Sequence, residues 1–202
     1  RQHRLPGPLL HDLLSAFEQD VRHTAAGHAY TDSAELLAYC RLSANPVGRL
    51  LLHLYGVGDE TALQQSDRIC SALQLINFWQ DLSVDLPRQR HYLPEDLLQR
   101  HGLARADFSL AATAGRAPAA ATQARMAAAI AELCSQARAM MQDGAPLCCR
   151  IPGRAGWELR LVVQGGLRIL DHLQSLDHCS WQVRPRLRAT DLPRLALRAA
   201  RM

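Results

Sequence analysis

The chain has 202 residues, 48% of them hydrophobic, and 23 basic residues against 19 acidic ones give a net charge of +4. That apolar fraction excludes a disordered low-complexity chain, and the length suits one domain or part of a larger one. No stretch approaches the ~18 consecutive apolar residues that a membrane-spanning helix needs, and every basic residue is Arg, which excludes lysine chemistry.

Leu and Ala dominate, aromatics make up 5%, and β-branched residues are sparse, a composition that predicts an all-α protein. No internal repeat is visible. Residues 9–24 read as a helix, because Leu9, Leu10, Leu13, Leu14, Phe17 and Val21 recur at helical spacing. A second helix opens at Asp32, with Glu35 placed to complete a capping box, and runs toward Tyr55 with an interruption at Asn45-Pro46 and Gly48. Gly56-Val57-Gly58 ends it; with no strand before it, this is not a nucleotide loop. A third helix covers residues 60–85 and stops at Pro87. A polar strip then leads to Pro94, at the first turn of a short helix that ends near Gly102.

Residues 104–120, rich in Ala, Gly and Thr, are expected to form a loop. An Ala-rich helix follows over residues 119–142, with Met126, Ile130, Leu133 and Ala137 as a packing stripe. The last long helix spans residues 155–176 and contains Gly165-Gly166. Each of those glycines costs roughly 1 kcal/mol relative to Ala, which implies close packing or room for a ligand. A coil over 178–193 leads into a short basic end.

Charge divides the chain into a body, residues 1–183, and a basic tail, residues 184–202. The tail holds six Arg and one Asp, for +5, and the body 17 Arg and 18 acids, for −1. Two readings of the tail stay open: a solvated end, or a patch resting on anionic lipid. Nucleic acid is not an expected partner, because the arginines lack interleaved aromatics and a known module. Cysteines 40, 70, 134, 148, 149 and 179 show no paired spacing and read as reduced thiols in a cytoplasm. With the lipid reading, that places the chain at the inner face of the membrane. Neither they nor the nine dispersed histidines make a zinc motif.

The informative segment is 67–85. At about 100° per residue, Asp67, Ser71, Gln74, Asn77, Asp81 and Asp85 fall within an arc of roughly 120°, and apolar residues cover most of the rest. A helix so apolar elsewhere is buried, so its polar stripe faces a cavity or buried partners. Two carboxylates four apart repel, and burial sharpens the repulsion, so a cation must hold Asp81 and Asp85 together. With no Lys available, that cation is an Arg or a divalent metal, for which Mg²⁺ suits hard oxygen ligands. D-x-x-x-D alone is weak, since 13 Asp in 202 residues give roughly 0.8 such pairs by chance. The composite Gln74-x-x-Asn77-x-x-x-Asp81-x-x-x-Asp85 is what carries weight.

Ala72-Leu73-Gln74-Leu75-Ile76-Asn77-Phe78-Trp79-Gln80-Asp81-x-x-x-Asp85, followed by Arg90-x-Tyr92-Leu93-Pro94, resembles the second aspartate-rich motif and flap of the squalene/phytoene synthase family. Upstream, residues 39–49 resemble that family's Tyr-and-Gly cavity helix, and the similarity continues through residues 159–170. Within the family, Ser-Ala-Asn-Pro-Val-Gly and Asn-Phe-Trp-Gln-Asp are most similar to the hydroxysqualene synthases of the hopanoid pathway. The resemblance implies an all-α isoprenoid (terpenoid) synthase bundle with a central apolar cavity. It implies an isoprenoid diphosphate substrate, Mg²⁺ as cofactor, and loss of diphosphate from presqualene diphosphate to give hydroxysqualene. The alternative within the family is a head-to-head condensing prenyltransferase that makes presqualene diphosphate or phytoene. Other enzymes of the squalene pathway become candidate partners.

Carried over by position, Asp81 and Asp85 ligate Mg²⁺; Gln74, Asn77 and Arg90 contact diphosphate; Tyr39, Val47, Gly48 and Leu51 line the hydrocarbon cavity. Tyr39 also counts with the two aspartates as catalytic. The family's first aspartate-rich motif has no counterpart among Asp12, Asp20 and Asp32, so the sequence resembles the C-terminal part of such an enzyme. On that reading these 202 residues turn over poorly alone, and a non-catalytic remnant that binds lipid or a partner is the rival from another class.

Overall fold

The structure, a computed structural model, describes residues 4–113 and 118–202. Ten α-helices follow one another among them: α1 (Gly7–Ala26), α2 (Ser33–Ser43), α3 (Asn45–Leu54), α4 (Glu60–Gln80), α5 (Leu82–Asp85), α6 (Glu95–Arg100), α7 (Arg105–Thr113), α8 (Ala120–Gly144), α9 (Gly153–Ser175) and α10 (Leu192–Ala200). One isolated bridge, Ala29 to His91, is the only extended pairing among the described residues, so the all-α expectation holds.

The local signals act as the sequence suggests, with one change of partner. Asp32 Oδ1 accepts the Glu35 N–H at 2.8 Å and starts α2. The Glu35 carboxylate does not reach back to Asp32; it accepts the Thr31 N–H at 2.7 Å and meets His28 Nε2 at 2.9 Å. The expected interruption at Asn45-Pro46 is a full boundary: Ala44 leaves helical dihedrals (φ −120°, ψ −48°) and Pro46 sits in the first turn of α3, where its missing N–H costs nothing. Asp59 caps α4 through the Ala62 N–H at 3.1 Å.

α4 is the central rod. It runs along α8 and also meets α3, α2 and α9. Ala62 and Ala72 on α4, with Ala129 and Ala137 on α8, are fully buried, and such small residues let two rods approach closely. Ile69, Ile76 and Trp79 are buried beside them, each worth roughly 1.5–3 kcal/mol by burial.

Two expectations are corrected. The loop predicted for 104–120 is helical over Arg105–Thr113. The composition there is a weak signal, but Phe108 is fully buried and meets Trp181 edge-on with ring centroids 5.5 Å apart, and Asp107 accepts the Ala104 N–H at 2.8 Å. Residues 114–117, the rest of that predicted loop, lie outside the described residues. The second correction is the solvated reading of the basic tail; the coil expected before it holds over residues 178–188. Residues 184–202 fold onto the body as a 3-10 turn and α10, with Leu195 and Ala199 buried. Asp191 inside this segment is buried; it accepts the Arg188 N–H at 2.8 Å and Arg168 Nε at 2.7 Å, and meets His172 at 3.1 Å. Asp171 on α9 takes Arg198 at 3.0 Å and Arg194 at 3.9 Å. Together with Arg184 on Asp81, three of the six tail arginines pair with body carboxylates, so this is no solvated end. All six cysteines are free thiols, and no helix among the described residues is long and apolar enough to cross a membrane.

Candidate active site

Asp81 closes α4. Its N–H donates to the Asn77 carbonyl at 3.0 Å, and its own carbonyl accepts the N–H groups of Val84 at 2.8 Å and Asp85 at 2.9 Å. The rod therefore bends at Asp81 (φ −99°, ψ 11°) yet carries helical bonding into α5, which keeps Asp81 and Asp85 one turn apart.

The cation demanded by two neighbouring carboxylates is present on one of them. Arg184 grips Asp81 in a fork, Nε to Oδ1 at 2.5 Å and Nη2 to Oδ2 at 2.9 Å. Asp85 is buried and has a weaker partner: Arg90 Nη1 lies 3.9 Å away, and Arg90 Nη2 is shared with Asp20 at 3.6 Å. Burial pushes the Asp85 carboxyl above the usual carboxylate range, Asp81 adds to the rise, and Arg90 offsets only part of it. The pair is thus short of positive charge on the Asp85 side. Hard oxygen donors, one satisfied by a stand-in guanidinium and one under-compensated, fit a divalent cation such as Mg²⁺. No cluster of three or more His, Cys, Asp or Glu that could hold a metal ion converges among the described residues.

One turn back, Gln74 is half-buried and Asn77 exposed, and neither side-chain amide has a partner among the described residues. Asn77 borders a groove of about 450 Å³ lined also by Leu73, Gln80, Val162 and Gly165. Leu73 and Val162 also line a cavity of about 330 Å³ with Val47, Gly48, Leu51 and Ile69. Apolar surface therefore runs from α3 to the amide of Asn77. Gly48 lets α3 and α4 approach closely there: a Cβ would collide with Ser66 Oγ and lie 2.6 Å from Cys70 Sγ, so both side chains would have to shift.

The remaining residues sort differently from their prediction. Tyr39 is not among the residues lining that cavity. It is buried in an aromatic cluster, with ring centroids 6.0 Å from Tyr30 and 6.3 Å from Phe78, because α2 turns its aromatic face inward. Burial, with Asp20 adding, pushes its hydroxyl up to about 12, so it is no base at neutral pH. The stripe on α4 is also split. Asp67 is held by Arg49 at 2.9 and 2.6 Å, and the Ser71 hydroxyl donates to Asn45 Oδ1 at 2.8 Å, so the first half of the stripe ties α4 to α3. Two residues escaped sequence reasoning. Arg184 lies 103 positions from Asp81; the need for a cation was legible, its source was not. Asp20, which accepts the Tyr92 hydroxyl at 3.0 Å and shares Arg90 with Asp85, carried no local signal.

A helical bundle whose central rod carries an apolar cavity along its flank and paired carboxylates at its end is a terpenoid-synthase fold, and solved structures agree. The structure superposes on squalene synthase HpnC from Alicyclobacillus acidocaldarius with a TM-score of 0.77 at 32% identity, covering 88% of this chain and 62% of that one. The chain belongs to the squalene/phytoene synthase family, whose model matches residues 1–191. Among curated relatives, hydroxysqualene synthase of Rhodopseudomonas palustris is 34% identical over 174 residues, 85% of this chain and 55% of that protein. Presqualene diphosphate synthase of the same organism is 36% identical over 76 residues, 38% of this chain and 27% of that protein. The chain spans about half the length of the hydroxysqualene synthases it matches.

Proposed function

We propose that this chain carries the second acidic half of an Mg²⁺-dependent isoprenoid-diphosphate site, in an enzyme that converts presqualene diphosphate to hydroxysqualene. The supporting observation is Asp81 and Asp85 one turn apart at the end of a rod whose flank continues into an apolar cavity. Bound Mg²⁺ would draw charge from the departing diphosphate. Asp81 and Asp85 hold that ion, and the free amides of Gln74 and Asn77 donate to diphosphate oxygens. Arg90 gives its remaining N–H groups to the same anion. The C–O bond breaks with its electron pair leaving on the diphosphate oxygen. Val47, Gly48 and Leu51 offer no nucleophile to the cation, so an admitted water adds through its oxygen and passes a proton to the departed diphosphate to leave the alcohol.

A head-to-head condensing synthase is the second reading, because the match to presqualene diphosphate synthase falls on a shorter segment of slightly higher identity. The 174-residue match to a hydroxysqualene synthase favours the first. The test is product analysis by the whole enzyme given either presqualene diphosphate or farnesyl diphosphate with Mg²⁺. Hydroxysqualene from presqualene diphosphate supports the proposal, and turnover of farnesyl diphosphate alone replaces it by the second reading. Arg186, Arg188 and Arg201, whose guanidiniums have no carboxylate partner among the described residues, stand with the exposed Leu192 and Leu197 as a lipid contact for so apolar a substrate.

A further inference from the structure

We propose that Arg184 is a positioning residue for the acidic pair, an internal counter-ion that holds Asp81 until a divalent cation displaces it. The proposal rests on the reading of Asp81 and Asp85 as metal ligands, and its test separates the two.

Residues 180–187 cross the junction of α4 and α5 as a strap. Ser83 donates its N–H to the Ser180 carbonyl at 3.1 Å, and Gln80 Nε2 donates to the Pro185 carbonyl at 2.7 Å. Arg184 lies between these two links and takes both oxygens of Asp81. Every polar tie of the strap to the rod thus ends on residues 80, 81 or 83, at the turn that aims the carboxylates. Trp181, fully buried against Phe108, fixes one end of the strap independently of those ties. The guanidinium itself is at the solvent edge, with its side chain 35% exposed against 14% for Asp81. It can leave without unpacking the core.

A forked guanidinium takes one lone pair on each Asp81 oxygen, so a metal that joined it would meet only the outer lone pairs with a fixed positive charge beside them. Charge favours exchange over addition. Asp20, Asp81 and Asp85 face Arg90 and Arg184, three carboxylates against two guanidiniums. Substituting a divalent ion for Arg184 makes the set neutral, whereas adding the ion on top leaves it positive. Until then Arg184 relieves the repulsion between Asp81 and Asp85 and holds Asp81 in place.

The test titrates the 202-residue chain with Mn²⁺, a paramagnetic substitute for Mg²⁺, and reads free Mn²⁺ by electron paramagnetic resonance. Wild type is compared with Arg184→Ala, Arg184→Gln, Asp81→Asn and Asp85→Asn, with far-ultraviolet circular dichroism confirming the fold. A charge-assisted fork worth the usual increment predicts that removing Arg184 tightens Mn²⁺ about tenfold. Both Arg184 variants are expected to show this, and the aspartate variants to lose binding. Unchanged or weaker Mn²⁺ binding in both Arg184 variants, with binding still abolished by Asp81→Asn, overturns the counter-ion role and leaves the metal site standing. Binding insensitive to Asp81→Asn and Asp85→Asn overturns the metal reading, and the counter-ion role with it. Absence of Mn²⁺ binding in wild type and Arg184 variants alike also overturns the exchange.

Discussion

Gly165 and Gly166 are neighbours in the interior of α9, and substitution to Ala should move stability in opposite directions. Both changes gain the helix propensity that Gly lacks, about 0.8–1 kcal/mol. At Gly165 a Cβ meets Leu187 Cδ1 at 3.7 Å, an ordinary contact, so the gain survives. At Gly166 a Cβ falls 2.9 Å from Met141 Cε, 3.0 Å from Leu73 Cδ2 and 3.4 Å from Ile76 Cδ1. Met141 and Ile76 are buried and cannot swing into solvent. Overpacking of this kind costs about 1–3 kcal/mol, which outweighs the propensity gain and leaves a net loss of about 1 kcal/mol. The two variants should therefore differ by about 2 kcal/mol, or roughly 4–8 °C in Tm for a chain of this size. Thermal and urea melts followed by far-ultraviolet circular dichroism measure both. Shifts of the same sign and similar size would refute the account of how α9 packs on α4 and α8, and with it the floor beneath the Leu73 side of the cavity.

Three further outcomes follow from the same geometry. Asp85→Asn should raise Tm at neutral pH. The folded carboxyl titrates above its unfolded value, so its charge costs stability at high pH, and the gain should fade as pH drops toward roughly 4, where the unfolded carboxyl also protonates; a variant less stable than wild type at neutral pH contradicts this. Asp191→Ala should loosen α10: the Arg188 N–H first, then Arg168, hold its carboxyl well below the usual range, a stabilisation present above the unfolded value and lost as pH falls. Hydrogen exchange over residues 192–200 reads it, and unchanged protection would count against it. Phe108→Ala should cost about 3–5 kcal/mol in urea melts, because it removes the buried anchor of α7; a loss under ~1 kcal/mol would return 104–113 to the weakly ordered segment its composition suggests.

Much of this was legible because local and long-range forces agree. The rod over 60–85 shows an apolar surface that the structure follows, although its helix breaks at Asp81 and Pro87 sits inside a 3-10 turn that continues to Arg88. Segment 104–113 was not legible, since its helix depends on Phe108 finding Trp181, seventy-odd residues later. The tail misled for a related reason. Its net charge is set by composition, but its place is set by Asp81 and Asp171, carboxylates distant in sequence. At the site, spacing gave the pair Asp81 and Asp85 and the demand for a cation. It could not separate Asp67 and Ser71, which share the arc but bond to α3, from Gln74 and Asn77, which have no partner. Tyr39 failed because a buried tyrosine on an apolar face fits an aromatic cluster as readily as a cavity wall.

The central claim is that Asp81 and Asp85 act together as the grip for a metal-bound diphosphate. Its most direct test is Mg²⁺-dependent release of pyrophosphate from presqualene diphosphate by the whole enzyme carrying Asp81→Asn or Asp85→Asn. The account predicts a fall of roughly two to four orders of magnitude in each variant with the helical fold retained; release at near wild-type rates in both would contradict it.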